Sequence, residues 1–343
     1  MTTLVATIFV FGLLVLFHEL GHFITAKMVG MRVEEFAIGF GPKLFSYQKG
    51  ETLYSLRIIP LGGFNKIAGM DPDEEKDERA YTAKPIWARM IVILAGSTMN
   101  FILPVLIFLG IFLTAGINTP SPEPIFGEVM EGKAAAQAGL MQGDRIIKVD
   151  DKDIHTWKEF VSVVQVSDGK ILKVQYEREG NIGVASLIPV YDEQSKRAII
   201  GVLSKYDNYR PGFVEATGLA IKNTISVTVA MVDGLIQMVA GKIDAELAGP
   251  IGVAQMAGEV AQMGIIPLLQ FAAFLSINLG IINLLPIPAL DGGHFVTLVI
   301  EGVRGKPLSP ELVQKAQMFG FMLLLALMVF ATSKDIIRTN WFG

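Results

Sequence analysis

Four stretches of the chain carry almost no charge: Met1 to Ala26 (apart from one short polar cluster), Met90 to Ile117, Val260 to Leu290, and Ala316 to Ser333. At about 1.5 Å per helical residue, runs of this length match a hydrocarbon core of roughly 30 Å. They predict four spanning helices. A further apolar stretch, Pro211 to Ala240, is broken by Glu215, Lys222 and Asp233 and reads as an amphipathic helix on the outer surface. Between the first two runs, Lys43 to Pro60 alternates about Gln48-Lys49-Gly50-Glu51. Leu53, Ser55, Arg57 and Ile59 oppose Thr52, Tyr54, Leu56 and Ile58, the period of a β-hairpin. Glycines flank it in Gly39-Phe40-Gly41-Pro42 and Leu61-Gly62-Gly63-Phe64, where backbones can turn tightly or approach closely. An ordinary loop and an apolar hairpin dipping into the membrane fit this pattern equally; the second needs protein or a wet cavity to satisfy its backbone.

After the second run, Asn118-Thr119-Pro120-Ser121-Pro122-Glu123-Pro124 reads as a stiff linker, and residues 125–208 have the charge density of a small soluble domain. Helices are expected at Ala134 to Ala138 and Thr156 to Val166, and strands at Arg145 to Val149 and Leu172 to Tyr176. The run Gly139-Leu140-Met141-Gln142-Gly143-Asp144-Arg145-Ile146-Ile147-Lys148-Val149 resembles the signature of a PDZ domain, with Phe126-Gly127-Glu128-Val129 as its peptide-binding strand. His155 reads as a surface residue. The expected organisation is a membrane core in 1–117, a linker in 118–124, the PDZ domain in 125–208, a surface-helix region in 209–262, and the rest of the membrane core in 263–343. The fold class is a polytopic α-helical membrane protein with a membrane-associated β-hairpin and one extracytoplasmic α+β PDZ domain.

Composition agrees: 51% hydrophobic and 18% charged residues in 343 exclude an ordinary soluble enzyme. A net charge of -4 without long basic runs speaks against nucleic-acid binding. With no cysteine there is no disulfide framework and no thiolate site, so a metal would have to use histidine and carboxylate. Lys27 to Arg89 holds ten Lys or Arg, which puts that loop in the cytoplasm. Arg304, Lys306 and Lys315 agree, whereas Lys334 and Arg338 fall on the other side. The acidic run Asp71 to Glu78 reads as a solvated loop. The first apolar run lacks a basic leading region and is not expected to be a cleaved signal peptide.

The polar cluster in that run is His18-Glu19-Leu20-Gly21-His22. Positions i and i+4 share a helix face, so His18 and His22 can offer two imidazoles to one metal, with Glu19 beside them as a general base. Ionisable groups inside an apolar helix are costly, which makes them candidates for a functional site. The third run ends in Asn283-Leu284-Leu285-Pro286-Ile287-Pro288-Ala289-Leu290-Asp291-Gly292-Gly293-His294, where the prolines break the helix and free its carbonyls. If the first and third spans run the same way, His18, His22 and Asp291 lie at similar depth, and two His plus one carboxylate is the composition of a catalytic zinc site. His294 is a rival third ligand, more in keeping with a supporting or interfacial role.

Taken together, these residues resemble the site-2 protease family of intramembrane zinc metalloproteases, in its bacterial PDZ-containing branch. The resemblance covers nearly the whole chain: HELGH at 18–22, GFGP at 39–42, LGG at 61–63, one PDZ module, GPIG at 249–252, and Asn283-x-x-Pro286-x-Pro288-x-x-Asp291-Gly292. One departure is Gly96-Ser97-Thr98-Met99-Asn100, where proline usually follows the glycine; this is expected to bear on packing of the second helix more than on chemistry. The resemblance implies Zn2+ held by His18, His22 and Asp291, Glu19 as base, and substrate contacts from Asn283, Leu61, Gly62, Gly63, Pro286 and Pro288. It further implies regulated intramembrane proteolysis of single-span proteins, such as anti-sigma factors or signal-peptide remnants, after a first trimming cut. The partners are those substrates and the lipid bilayer, in a bacterial inner membrane, with the active site toward the cytoplasm. Two alternatives stand beside this reading: a catalytically inactive membrane PDZ scaffold, against which the intact His18, Glu19, His22 and Asp291 argue, and a transporter, for which internal repeats are missing.

Overall fold

The computed structural model describes residues 3–70, 77–193, 195–243 and 248–338, so most of the acidic run at 71–78 lies outside the described residues. Its contacts divide into two units, residues 1–111 with 212–343, and residues 112–211.

The first unit opens with helix α1 (Thr3–Met28), followed by strands β1 (Val33–Lys49) and β2 (Thr52–Ile67). The expected turn is present: Lys49 pairs with Thr52 and Lys43 with Arg57. The strands continue well beyond it. Val33 pairs with Ile67 and Ile38 with Gly63 in a second ladder, while Glu35 to Ile38 also lie beside Leu53 to Leu56. The first half of β1 is thus interior to the sheet, and residues 43–49 and 63–67 form its outer segments. Phe40, Leu44, Phe45, Tyr47, Ile58 and Ile59 are exposed apolar side chains of this hairpin. The half-buried Glu35 carboxylate accepts from Ser55 at 2.6 Å and Arg57 at 2.8 Å. Helix α2 (Ile86–Thr114) follows.

In the second unit, β3 (Ile117–Pro120) pairs with β12 (Tyr206–Tyr209). The start of the expected linker is therefore a strand, and the unit begins before residue 125. Strand β4 (Phe126–Val129) pairs with β11 (Val202–Ser204), β9 (Val190–Asp192) with β10 (Arg197–Ile199), and β5 (Arg145–Val149), β6 (Lys152–Asp153), β7 (Leu172–Arg178) and β8 (Asn181–Leu187) form a sheet in the order β6-β5-β7-β8. Helices α3 (Ala134–Gln137) and α4 (Trp157–Gln165) fall where expected. Thr156 and Glu159 form a reciprocal capping box at the start of α4. Phe126, Ile146, Phe160 and Val174 fill the core. His155 is exposed.

The peptide-binding strand expected at Phe126 to Val129 is corrected here. Besides pairing with β11, β4 uses its other edge: Phe126 N–H donates to the Asp144 carbonyl at 2.9 Å, and Gly143 N–H to the Phe126 carbonyl at 2.8 Å. At Phe126 both edges of the strand are thus occupied, and no added strand can pair there. The groove beside α4, about 210 Å³, is lined by Trp157, Phe160, Val161 and Val164 on one side and Ile199 to Leu203 on the other.

The chain returns to the first unit through α5 (Phe213–Val239), which packs on α7 (Ile265–Leu284); Ala216, Ala220 and Thr224 form its buried stripe. Helix α6 (Pro250–Met263) and α7 divide what the sequence suggested was one span from Val260 to Leu290. The break is Gly264, whose φ of 125° is open to glycine and strained for other residues. The Gly-Pro-Ile-Gly motif begins α6. Asp335 of α9 (Pro310–Arg338) accepts from the main-chain N–H groups of Gly249 at 3.0 Å and Gly252 at 2.8 Å, capping the helix from across the fold. Between α7 and α9, a helix absent from the sequence reading, α8 (Asp291–Arg304), starts at the expected aspartate. Among the described residues, five helices, α1, α2, α5, α7 and α9, are long and apolar enough to cross a membrane by length and composition, one more than the four expected spans.

Candidate metal centre

His18 and His22 project from successive turns of α1, with Nε2 atoms 3.3 Å apart. The loop after α7 brings Asp291 to them, its Oδ2 lying 3.6 Å from each Nε2. Residues 273 positions apart in the chain thus form a compact cluster able to hold a metal ion. For zinc–ligand bonds of about 2 Å at a tetrahedral angle, ligand atoms are expected roughly 3.3 Å apart, close to these separations.

The donor chemistry fits a cation as well. His22 Nδ1 lies 2.7 Å from the Val92 carbonyl, which can only accept, so the proton sits on Nδ1 and Nε2 presents a lone pair. His18 Nδ1 is 3.1 Å from the Asn100 side-chain amide. A metal on His18 Nε2 calls for Nδ1–H donating to the amide oxygen, and turning the amide over brings to that position the Oδ1 that otherwise has no partner among the described residues. Two imidazole lone pairs and a carboxylate facing one another are repulsive without a positive charge between them.

Helix α2 builds the wall of this site. A Cβ on Gly96 would overlap His22 Nε2 and crowd His18 Cε1. Ser97 Oγ donates to Asp291 Oδ2 at 3.2 Å, and Ser276 of α7 donates to the Asn100 carbonyl at 2.8 Å. The Gly96 to Asn100 departure, expected to be a packing matter, therefore lies against the three groups able to hold a metal ion. Ser97 and Asn100 were missed as functional residues, although polar side chains inside an uncharged run were the available signal.

Glu19 lies against the hairpin: Asn65 Nδ2 donates to Glu19 Oε2 and to its main-chain oxygen, each at 2.8 Å. A Cβ on Gly63 would lie 2.9 Å from Glu19 Cγ, so glycine lets the strand approach. Gly62, at φ 99°, packs under the Phe40 ring. Asn283 is buried at the end of α7, and Pro286 and Pro288 form the turn leading to Asp291. Gly292, Gly293 and Gly320 lie against main-chain carbonyls of Leu285, Ile287 and Pro288 respectively, holding that turn closely. His294 is not in the cluster; its Nε2 faces Gln317 at 3.5 Å.

Two histidines one helical turn apart, set against a carboxylate among helices apolar enough to cross a membrane, form a cluster able to hold a metal ion in a membrane-protein framework. The chain belongs to peptidase family M50, whose model matches residues 6–327. It is 34% identical to the regulator of sigma-W protease RasP of Bacillus subtilis, with 98% of each chain covered. It is 33% identical to the zinc metalloprotease RasP of Geobacillus kaustophilus, with 97% of each covered. Among solved structures, the PDZ domain of an SdrC-like protein of Listeria monocytogenes is 18% identical over 25% of this chain and 90% of that one, with a TM-score of 0.22. The protein is a zinc metalloprotease of the site-2 type and a multi-pass membrane protein.

Proposed function

We propose that the protein hydrolyses peptide bonds within transmembrane segments of single-span membrane proteins that an earlier cut has trimmed. The observation that carries this reading is the convergence of His18, His22 and Asp291 at 3.3–3.6 Å within helices apolar enough to span. These three residues would hold Zn2+, which when bound polarises a scissile carbonyl and acidifies a water. Glu19 Oε atoms accept a proton from that water and return it to the leaving amine, the role of a general base and then acid. A helical substrate hides its carbonyls, so it has to unwind. The outer segment at 63–67, preceded by Leu61 and Gly62, receives it as an added strand, and Asn283, Pro286 and Pro288 contact the opened backbone.

Four spans are retained in this reading, with α5 along the outer surface. Asp291 follows the end of α7 and meets the late turns of α1, which supports the two helices running in one direction. Helix α6 supports it too: Gly258 lies against Thr3 and Gly249 against Asp335, so it sits beside the first turn of α1 and the last turns of α9. That position calls for an even number of crossings between α2 and α6. With the basic loop in the cytoplasm, residues 125–208 are an extracytoplasmic PDZ domain, its groove between α4 and Ile199 to Leu203, and the membrane is a bacterial inner membrane.

The test is cleavage of a reconstituted single-span protein by purified enzyme. Glu19→Gln keeps zinc and loses hydrolysis, while Asp291→Ala loses both; hydrolysis by Glu19→Gln at the wild-type rate refutes the assignment.

A further inference from the structure

The partner of Glu19 comes from the sheet rather than from its own helix. Both hydrogens of the Asn65 amide are used on this one residue, one on Oε2 and one on the main-chain oxygen, each over 2.8 Å. The amide oxygen is buried and finds no hydrogen-bond partner among the described residues, so these two bonds to Glu19 are the ones that orient the group. Gly63, two residues earlier and on the same strand face, lies against Glu19 Cγ and Val15 Cγ1, at 2.9 and 3.1 Å from an added Cβ. The outer segment of the sheet is therefore joined to α1 at Glu19 itself.

We propose that Asn65 is a positioning residue for Glu19, locking its carboxylate to the 63–67 segment so that the base and the strand receiving the substrate hold one fixed geometry. This rests on the reading of Glu19 as base and of that segment as the docking edge. A glutamate has three rotatable side-chain bonds, and an untethered one spends most of its time away from the geometry that takes a proton. An amide donor on Oε2 leaves Oε1 open to a water. Being neutral, the amide restrains the carboxylate without pairing it, whereas Lys or Arg would neutralise the base. The bond to the main-chain oxygen ties the strand to the helix independently of the side chain, so a strand settling on the edge meets a base already in place.

The experiment compares wild type, Asn65→Leu, Asn65→Asp, Asn65→Gln and Glu19→Gln as purified full-length chains in detergent, measuring zinc content and steady-state cleavage of one single-span substrate. Leu and Asp share the branching of Asn at Cγ but have no amide hydrogens, Asp at the same size and Leu somewhat larger; Gln keeps them on a longer arm. Asn65→Leu and Asn65→Asp are expected to keep a full complement of zinc and an unchanged KM while kcat falls roughly 10- to 100-fold, with partial recovery in Asn65→Gln. A kcat within twofold of wild type in Asn65→Leu overturns the proposal. A raised KM at unchanged kcat makes Asn65 a substrate contact, and loss of zinc together with kcat makes it a structural residue; either also overturns it. Glu19→Gln separates the two levels: if it still hydrolyses, the base assignment fails, and if it is inactive while Asn65→Leu is normal, only this proposal fails.

Discussion

His22 and Val92 are joined by a 2.7 Å hydrogen bond from the imidazole Nδ1–H to the main-chain carbonyl. A carbonyl on α2 thereby selects which ring nitrogen of α1 carries the proton and which is left for a metal. Since a backbone oxygen cannot be mutated away, the arrangement depends on how closely the two helices pack, and Gly21 against Ala95 and Gly96 against His22 set that distance.

Gly96→Ala tests the packing. Its Cβ overlaps His22 Nε2, and the opposing ring is held by Val92, so His22 has to leave its position. The variant is expected to lose zinc and activity while keeping its helical circular dichroism. Full zinc content with wild-type activity would show that the helices separate at little cost.

Asn100 and Ser97 should tune the metal rather than bind it. Removing a residue that orients a ligand typically weakens metal binding by about 10–100-fold. Asn100→Ala and Ser97→Ala are expected to show that loss in competition with a zinc chelator, with activity restored by excess zinc. Asp291→Ala should not be restored. Unaltered zinc affinity in both would leave the contacts at 3.1 and 3.2 Å without a role.

Arg89 and Glu301 join α2 to α8 through two hydrogen bonds of 3.1 and 2.6 Å, with side chains only 10% and 14% exposed. Breaking a buried pair by removing one member costs about 3–5 kcal/mol, whereas replacing both by apolar groups is often close to neutral. Glu301→Leu should therefore destabilise the protein more than Arg89→Met with Glu301→Leu, as read from unfolding in mild detergent. A double variant less stable than the single would contradict this.

Glu51, in the hairpin turn, carries a pH dependence. Arg79, with Lys27 at the end of α1, holds its carboxyl down to about 2 from an ordinary value of 4.5. A depressed folded value means that the pairing stabilises the fold above pH 4.5 and is lost as pH falls through about 2. The difference in thermal midpoint between wild type and Glu51→Gln should be present at pH 7 in low salt, narrow below pH 4.5, and shrink with added salt because the pair is solvent-accessible. A difference that persists unchanged at pH 2 would assign the effect to packing.

The sequence by itself determined what is local and periodic. Uncharged runs gave α1, α2, α7 and α9, because a helix in lipid is specified by apolarity over its own length. Alternation gave the turn at Gly50-Glu51, and i, i+4 spacing put His18 and His22 on one face, because both patterns lie within a single element. Asp291 was legible from its broken, glycine-rich context. Tertiary structure decided the rest. The sheet folds back so that Glu35 to Ile38 lie between two halves of β2, a pairing no alternation pattern encodes. Gly264 divides α6 from α7 through its backbone angle, which apolarity cannot reveal. Strand β4 is engaged on both edges at Phe126, and the groove beside α4 is lined by Ile199 to Leu203. Asn65, Ser97 and Asn100 carry no motif; each acquires its role from the side chain it meets 46, 194 or 82 residues away, and that distance is crossed only when the chain folds.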